Sequence, residues 1–140
     1  MRTNQQVEVI VFKKDQNQVF FLILKRNPQK GDFWQPITGG IEEGETFEQT
    51  AIREVSEEIG VFDAKLIDID FEFDFFDHNE NHFEKCFAVE VPATTQIVLS
   101  EEHTEFKWVD LQTAVNDYLK YPKNKEAFEK TINILNHGKN

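Results

Sequence analysis

The chain has one cysteine, Cys86, among 140 residues. An intramolecular disulfide is excluded, and the composition fits a reducing compartment such as the cytoplasm. Proline and glycine are scarce, at 4 and 6 residues, which excludes collagen-like and low-complexity classes. Basic residues are in short supply. Fifteen Lys+Arg stand against 26 Asp+Glu, a formal charge of −11. Such a surface repels nucleic-acid backbone and anionic lipid, so neither a nucleic-acid polymer nor a membrane is the expected partner. Long hydrophobic runs are missing too. The opening stretch MRTNQQVEVIVF reaches Lys13 after a few apolar residues, too short for a signal-peptide core or a membrane span. A phosphate compound remains compatible if a divalent cation offsets the repulsion.

What is abundant is phenylalanine, with 14 copies. The length suits one domain over residues 1–140, able to bury about two-thirds of the surface its unfolded chain exposes. Val7–Phe12 and Val19–Leu24 are apolar runs around a turn signal at Asp15–Gln18, which predicts a hairpin. Pro28, Gly31 and Pro36 mark an irregular segment carrying Phe33 and Trp34. Thr46–Gly60 predicts a helix: Thr46 and Gln49 match a capping box, Phe47, Ala51, Val55 and Ile59 form an apolar stripe, and Gly60 suits a left-handed C-terminal residue. From Ala64 to Phe76, isoleucine and phenylalanine alternate with Asp and Glu, the pattern of a half-buried strand. A turn at Asp77–Asn81 and a return strand over Phe83–Val91 follow. Then come a short strand at Phe106–Val109, a helix at Leu111–Leu119 and a last helix at Asn124–Leu135. Mixed strands and helices without a linker predict a layered α/β or α+β domain.

The helix over 46–60 has a second face. Glu54, Glu57 and Glu58 lie at i, i+3 and i+4, one turn apart on one side. Three neighbouring carboxylates repel one another. A solvated acidic face is one reading; Mg²⁺ or Mn²⁺ held by carboxylate oxygen is the other. Arg53 is placed to orient a neighbouring carboxylate through a charge-assisted bond.

The flanks favour the metal reading. Gly39-Gly-Ile-Glu-Glu-Gly-Glu45 runs into the helix, and Arg53-Glu-Val-Ser-Glu-Glu-Ile-Gly-Val61 ends it. This resembles the Nudix hydrolase signature, filled at Gly39, Glu45, Arg53, Glu54, Glu57, Glu58, Gly60 and Val61. The resemblance implies an α/β/α sandwich with a mixed sheet between helices. It also implies an Mg²⁺-dependent pyrophosphohydrolase, with Mn²⁺ a possible substitute, that cleaves a diphosphate linkage. Metal ligands would be Glu54, Glu57, Glu58 and the backbone near Gly39. Gly39 and Gly40 would let backbone approach a metal or phosphate. Glu54 or Glu57 would be the general base. Glu42, Glu43 and Glu48 are expected on solvated surface.

The resemblance extends to Leu99–Trp108, where a further metal-site glutamate is expected. Glu102 matches best and Glu105 second, with His103 a loop hydrogen-bonder. Asp32–Glu45 and Glu102–Trp108 are similar to the bacterial dihydroneopterin triphosphate pyrophosphatases, which also act on deoxyadenosine triphosphate. Asymmetric diadenosine tetraphosphate hydrolases rank second. A non-hydrolytic Nudix-fold binding module is the alternative of another class, but such modules typically lose a signature carboxylate. Arg26 is a candidate phosphate contact. Trp34 or Phe33 is a candidate base-stacking residue, with core packing as its other role. His78 and His82 are read as exposed loop residues and Cys86 as a small buried hydrophobe. The partner expected is a small phosphate-bearing substrate, for a monomer or homodimer.

Overall fold

The computed structural model describes residues 2–137, and their side chains except at 2, 3 and 30. Strands β1 (Arg2–Asp15) and β2 (Gln18–Arg26) form the predicted hairpin. Gln16 and Asn17 both take positive φ, 52° and 67°, as a two-residue hairpin turn matched to strand twist requires. The strands outrun the apolar runs because their polar ends still pair.

Past the turn the hairpin strands part, and a third segment enters between them. Its first piece, β3 (Trp34–Gln35), pairs with β2. Its second, β4 (Ile37–Glu42), pairs with β1. The change of partner falls at Pro36, which has no N–H for a ladder bond. Strands β5 (Leu66–Asp77) and β6 (Glu80–Glu90) make a second hairpin. β6 lies parallel to β1, and β7 (His103–Val109) runs antiparallel to β2. The sheet is mixed.

Period-2 alternation on β1 supplies both faces of the sheet. Val7, Val9 and Val11 pack under α1 (Phe47–Ile59), whose Ala51, Val55 and Ile59 are fully buried. Ile10 and Phe12 point the other way, against Ala127 and Phe128 of the last helix. Each fully buried aliphatic side chain contributes about 1.5–3 kcal/mol. The expected α/β/α sandwich is the fold. Thr46 accepts from the backbone N–H of Gln49 at 3.0 Å, Gln49 accepts in return from Thr46 N–H at 2.9 Å, and Gly60 ends the helix at φ 73°.

Three expectations need correction. The helix predicted at Leu111–Leu119 is regular only as α2 (Leu111–Thr113) and widens into a π turn over Ala114–Tyr118. The last helix, α3 (Pro122–His137), begins two residues earlier than predicted, because proline suits a first turn that needs no N–H. His82 lies in β6, half-buried and stacked on Phe75 at 5.0 Å, rather than in a loop. Cys86 is fully buried as expected. Among the described residues no helix is long and apolar enough to cross a membrane.

Candidate active site

β4 delivers the chain into the loop that caps α1, so Gly39 and Gly40 lie across from the helix's acidic face. Arg53 organises that face. Its Nε donates to Glu45 Oε2 at 2.7 Å and its Nη2 to Glu45 Oε1 at 2.9 Å, a two-pronged pair. Nη1 reaches Glu54 at 3.0 Å and Glu57 at 3.2 Å, and Nη2 also reaches the Gly40 carbonyl at 3.1 Å. One guanidinium thus holds three carboxylates and a backbone oxygen, which its planar donor fork permits. Glu45 accepts further from Thr50 Oγ1 and from the Glu42 N–H. The Arg53 bond, with those donors, holds its carboxyl down at about 2.

Glu54 and Glu58 are buried, each 5% exposed, yet their environments pull them apart. Burial pushes Glu54 up to about 7, with Arg53 opposing and Glu58 and Glu57 adding repulsion. Burial also acts on Glu58, but bonds from His103 and Ser100 outweigh it and hold that carboxyl below the ordinary range. Ser100 Oγ donates at 2.7 Å and His103 Nδ1 lies at 3.0 Å from the same Glu58 oxygen. Gln35 Nε2 sits 3.1 Å from His103 Nε2. Because the Gln35 amide nitrogen is a donor, Nε2 accepts and Nδ1 carries the proton.

These groups line a polar cleft of about 440 Å³, shared by Gly39, Gly40, Arg53, Glu54, Glu57 and Glu58. Arg26 and Glu102 line it as well. Glu105 does not; it pairs with Lys25 at 3.9 Å. Glu42, expected on solvated surface, belongs to the cleft wall. Trp34 does not line this cleft: its half-buried ring packs edge-on to Tyr118 at 5.4 Å, with Lys107 over it at 5.8 Å, against the core cluster that includes Phe128 of α3. Phe33 lines a neighbouring cleft instead.

That second cleft, about 490 Å³, shares Gln6, Arg26, Gln35 and Thr38 with the first. Phe33, Phe75, Phe76 and Tyr121 give it aromatic walls. Arg26 stands at the junction, and its buried Nε has no hydrogen-bond partner among the described residues. An unpaired buried donor of a cationic group is costly unless an anion arrives.

A family model for the NUDIX domain matches residues 3–131 of the chain. The chain belongs to the NUDIX family. Membership carries the reaction class, hydrolysis of a phosphoric anhydride, and the family generally uses divalent metal ions. The chain is 38% identical over 145 residues to a dihydroneopterin triphosphate diphosphatase of Haemophilus influenzae, covering 94% of this chain and 89% of that protein. It is 37% identical over 119 residues to an octanoyltransferase of Myxococcus xanthus, covering 82% of this chain but only 32% of that longer protein. Among solved structures, the Escherichia coli dihydroneopterin triphosphate pyrophosphohydrolase superposes with a TM-score of 0.78 at 32% identity, covering 94% of this chain and 97% of that one.

The residues of this NUDIX chain fit a hard divalent cation by donor chemistry, since Glu54, Glu57, Glu58 and Glu102 offer carboxylate oxygen. A Cβ on Gly39 would lie 2.1 Å from Glu54 Cδ, so the glycine keeps the space in which that carboxylate sits. Sequence reading missed several contributors. Gln6 and Gln35 gave no signal, being polar residues in or beside strands. His103, read as a loop residue, is 7% exposed at the start of β7. Glu8, the one charged residue within the apolar run Val7–Phe12, is fully buried; a lone charge in such a run is itself a signal, because buried glutamates need partners.

Proposed function

We propose that the protein is an Mg²⁺-dependent pyrophosphohydrolase of nucleoside-triphosphate-like compounds, with dihydroneopterin triphosphate or deoxyadenosine triphosphate as substrate. The observation that carries this reading is the joining of two clefts at Arg26, one walled by carboxylates and the other by aromatic rings. A molecule with phosphates at one end and a flat heterocycle at the other matches that division. The similarity to named dihydroneopterin triphosphate diphosphatases over most of both chains supports the same substrate class.

In this reading Glu54, Glu57, Glu58 and Glu102 hold the cation, which when bound supplies positive charge for phosphate oxygens and lowers the pKa of water. Arg26 meets a phosphate oxygen with its unpaired Nε. Arg53 fixes Glu54 and Glu57 in place. Water attacks phosphorus, the P–O–P bridge breaks, and a carboxylate takes the water's proton. Glu54 and Glu57 are the candidate bases, whichever of the two the cation does not fully engage. The products are a monophosphate and pyrophosphate.

Chromatography of products after incubation with dihydroneopterin triphosphate, the deoxynucleoside triphosphates and diadenosine tetraphosphate, with and without Mg²⁺, tests the proposal. Monophosphate plus pyrophosphate, formed only with Mg²⁺, is the expected result. No turnover of any of them would sink it.

A further inference from the structure

The aromatic cleft has an acidic floor that phosphate chemistry does not require. Glu84 lines it at 4% exposure, on β6. Glu8 of the neighbouring strand β1 lies beside it, wholly buried, and oxygens of the two carboxyls lie within 4.8 Å of one another. Asn124 Nδ2 donates to Glu8 Oε1 at 2.9 Å, and Gln6 Nε2 donates to Glu84 Oε1. Glu8 Oε2 has no partner among the described residues.

Two adjacent buried carboxyls cannot both stay ionised. Burial and the neighbouring Glu84 push Glu8 well up, so Glu8 is the member of the pair that holds a proton. Cys86 completes a compact trio with them, but burial pushes its thiol up as well, so the trio does not present a ready set of ionised metal ligands. A carboxylate has about four acceptor positions. Gln6 occupies one on Glu84, leaving acceptor capacity toward the cleft.

We propose that Glu84, backed by Glu8, Gln6 and Asn124, selects a substrate head group by accepting adjacent N–H and NH₂ donors from its edge. The inference rests on the reading of these clefts as one substrate site and narrows it. A 2-amino-4-oxopyrimidine edge, common to pterins and guanine, presents such a donor pair. Adenine, with an acceptor nitrogen beside its amino group, offers only one donor there. Phe33, Phe75 and Tyr121 supply π faces beside the ring. Glu84 is therefore assigned as a specificity residue that touches the head group.

Calorimetric titration with dGMP and dIMP tests this without turnover, because the two differ only in the 2-amino group. The full chain is expected to bind dGMP about tenfold or more tightly than dIMP, the scale of one hydrogen bond to a charged acceptor. In Glu84→Gln that ratio is expected to fall toward one. Equal affinities in the unaltered protein, or no saturable dGMP binding, would overturn the inference, and this holds even if Glu84→Gln does not fold. A ratio unchanged in a folded Glu84→Gln would overturn it too. Separate Mg²⁺-dependent hydrolysis assays keep the two readings apart. Turnover without dGMP preference removes this inference alone, whereas dGMP preference without turnover removes the hydrolase reading and leaves head-group recognition.

Discussion

His103 on β7 places Nδ1 3.0 Å from Glu58 Oε1 on α1, across 45 positions of sequence. The contact ties the sheet's edge to the helix's acidic face. Both side chains are almost fully buried. Such a bond fixes the imidazole tautomer and keeps the carboxylate ionised where burial alone would neutralise it.

Replacing His103 by alanine should leave Glu58 with Ser100 as its remaining side-chain donor. We expect a loss of about 1–3 kcal/mol in stability, measured by urea denaturation. A fall of about 10–100-fold in Mg²⁺ affinity should accompany it, measured by titration. Unchanged values in both would show that the bond is dispensable.

Gly39→Ala should be more damaging than its size suggests. The added methyl would sit 2.1 Å from Glu54 Cδ, so either Glu54 or β4 must move. Misplacement of a reacting group by about 1 Å costs roughly 100-fold in rate. Steady-state kinetics should show that loss in kcat, with the fold retained by circular dichroism.

The acidic groups give opposite pH signatures. Glu54 is raised from 4.5 to about 7 in the folded chain. Its contribution to stability is full below pH 4.5 and is lost as pH rises toward 7. Glu45 is lowered to about 2 and Glu58 is lowered too. Their contributions are present above pH 4.5 and fade as pH falls below it. Thermal melts of metal-free protein should therefore show destabilisation on both sides, one loss setting in below pH 4.5 and another between 4.5 and 7. Mg²⁺ favours the ionised carboxylate, so it should reduce the upper loss and release a proton on binding near neutrality.

Arg53→Lys keeps the charge and loses the fork. Lysine cannot span both Glu45 oxygens, Glu54, Glu57 and the Gly40 carbonyl as Arg53 does. Chemical denaturation should show about 1–3 kcal/mol of destabilisation. A variant as stable and as active as the parent would mean that charge alone suffices.

Local rules made much of this legible. Thr46, Gln49 and Gly60 declared the ends of α1, because caps are satisfied by groups within a few residues. The β5 alternation was readable for the same reason, and a bulge around Ile69 and Asp70 inserts two residues, which preserves its parity. The π turn after Thr113 was hidden, since a helical spacing over so few residues does not distinguish an α from a π turn. Trp34 was ambiguous because an aromatic ring suits a core and a ligand equally until its neighbours are known.

By itself the sequence determined the acidic helix, its caps, the glycines that lead into it and the family those residues signal, because each depends on spacing along one segment. Tertiary structure decided what the carboxylates became. It brought His103 and Ser100 to Glu58 while leaving Glu54 desolvated, separating two glutamates that spacing alone makes equivalent. It also laid Glu8 beside Glu84 through the parallel pairing of β1 and β6. Burial and pairing across the sheet are sums over distant segments, and no window of sequence contains them.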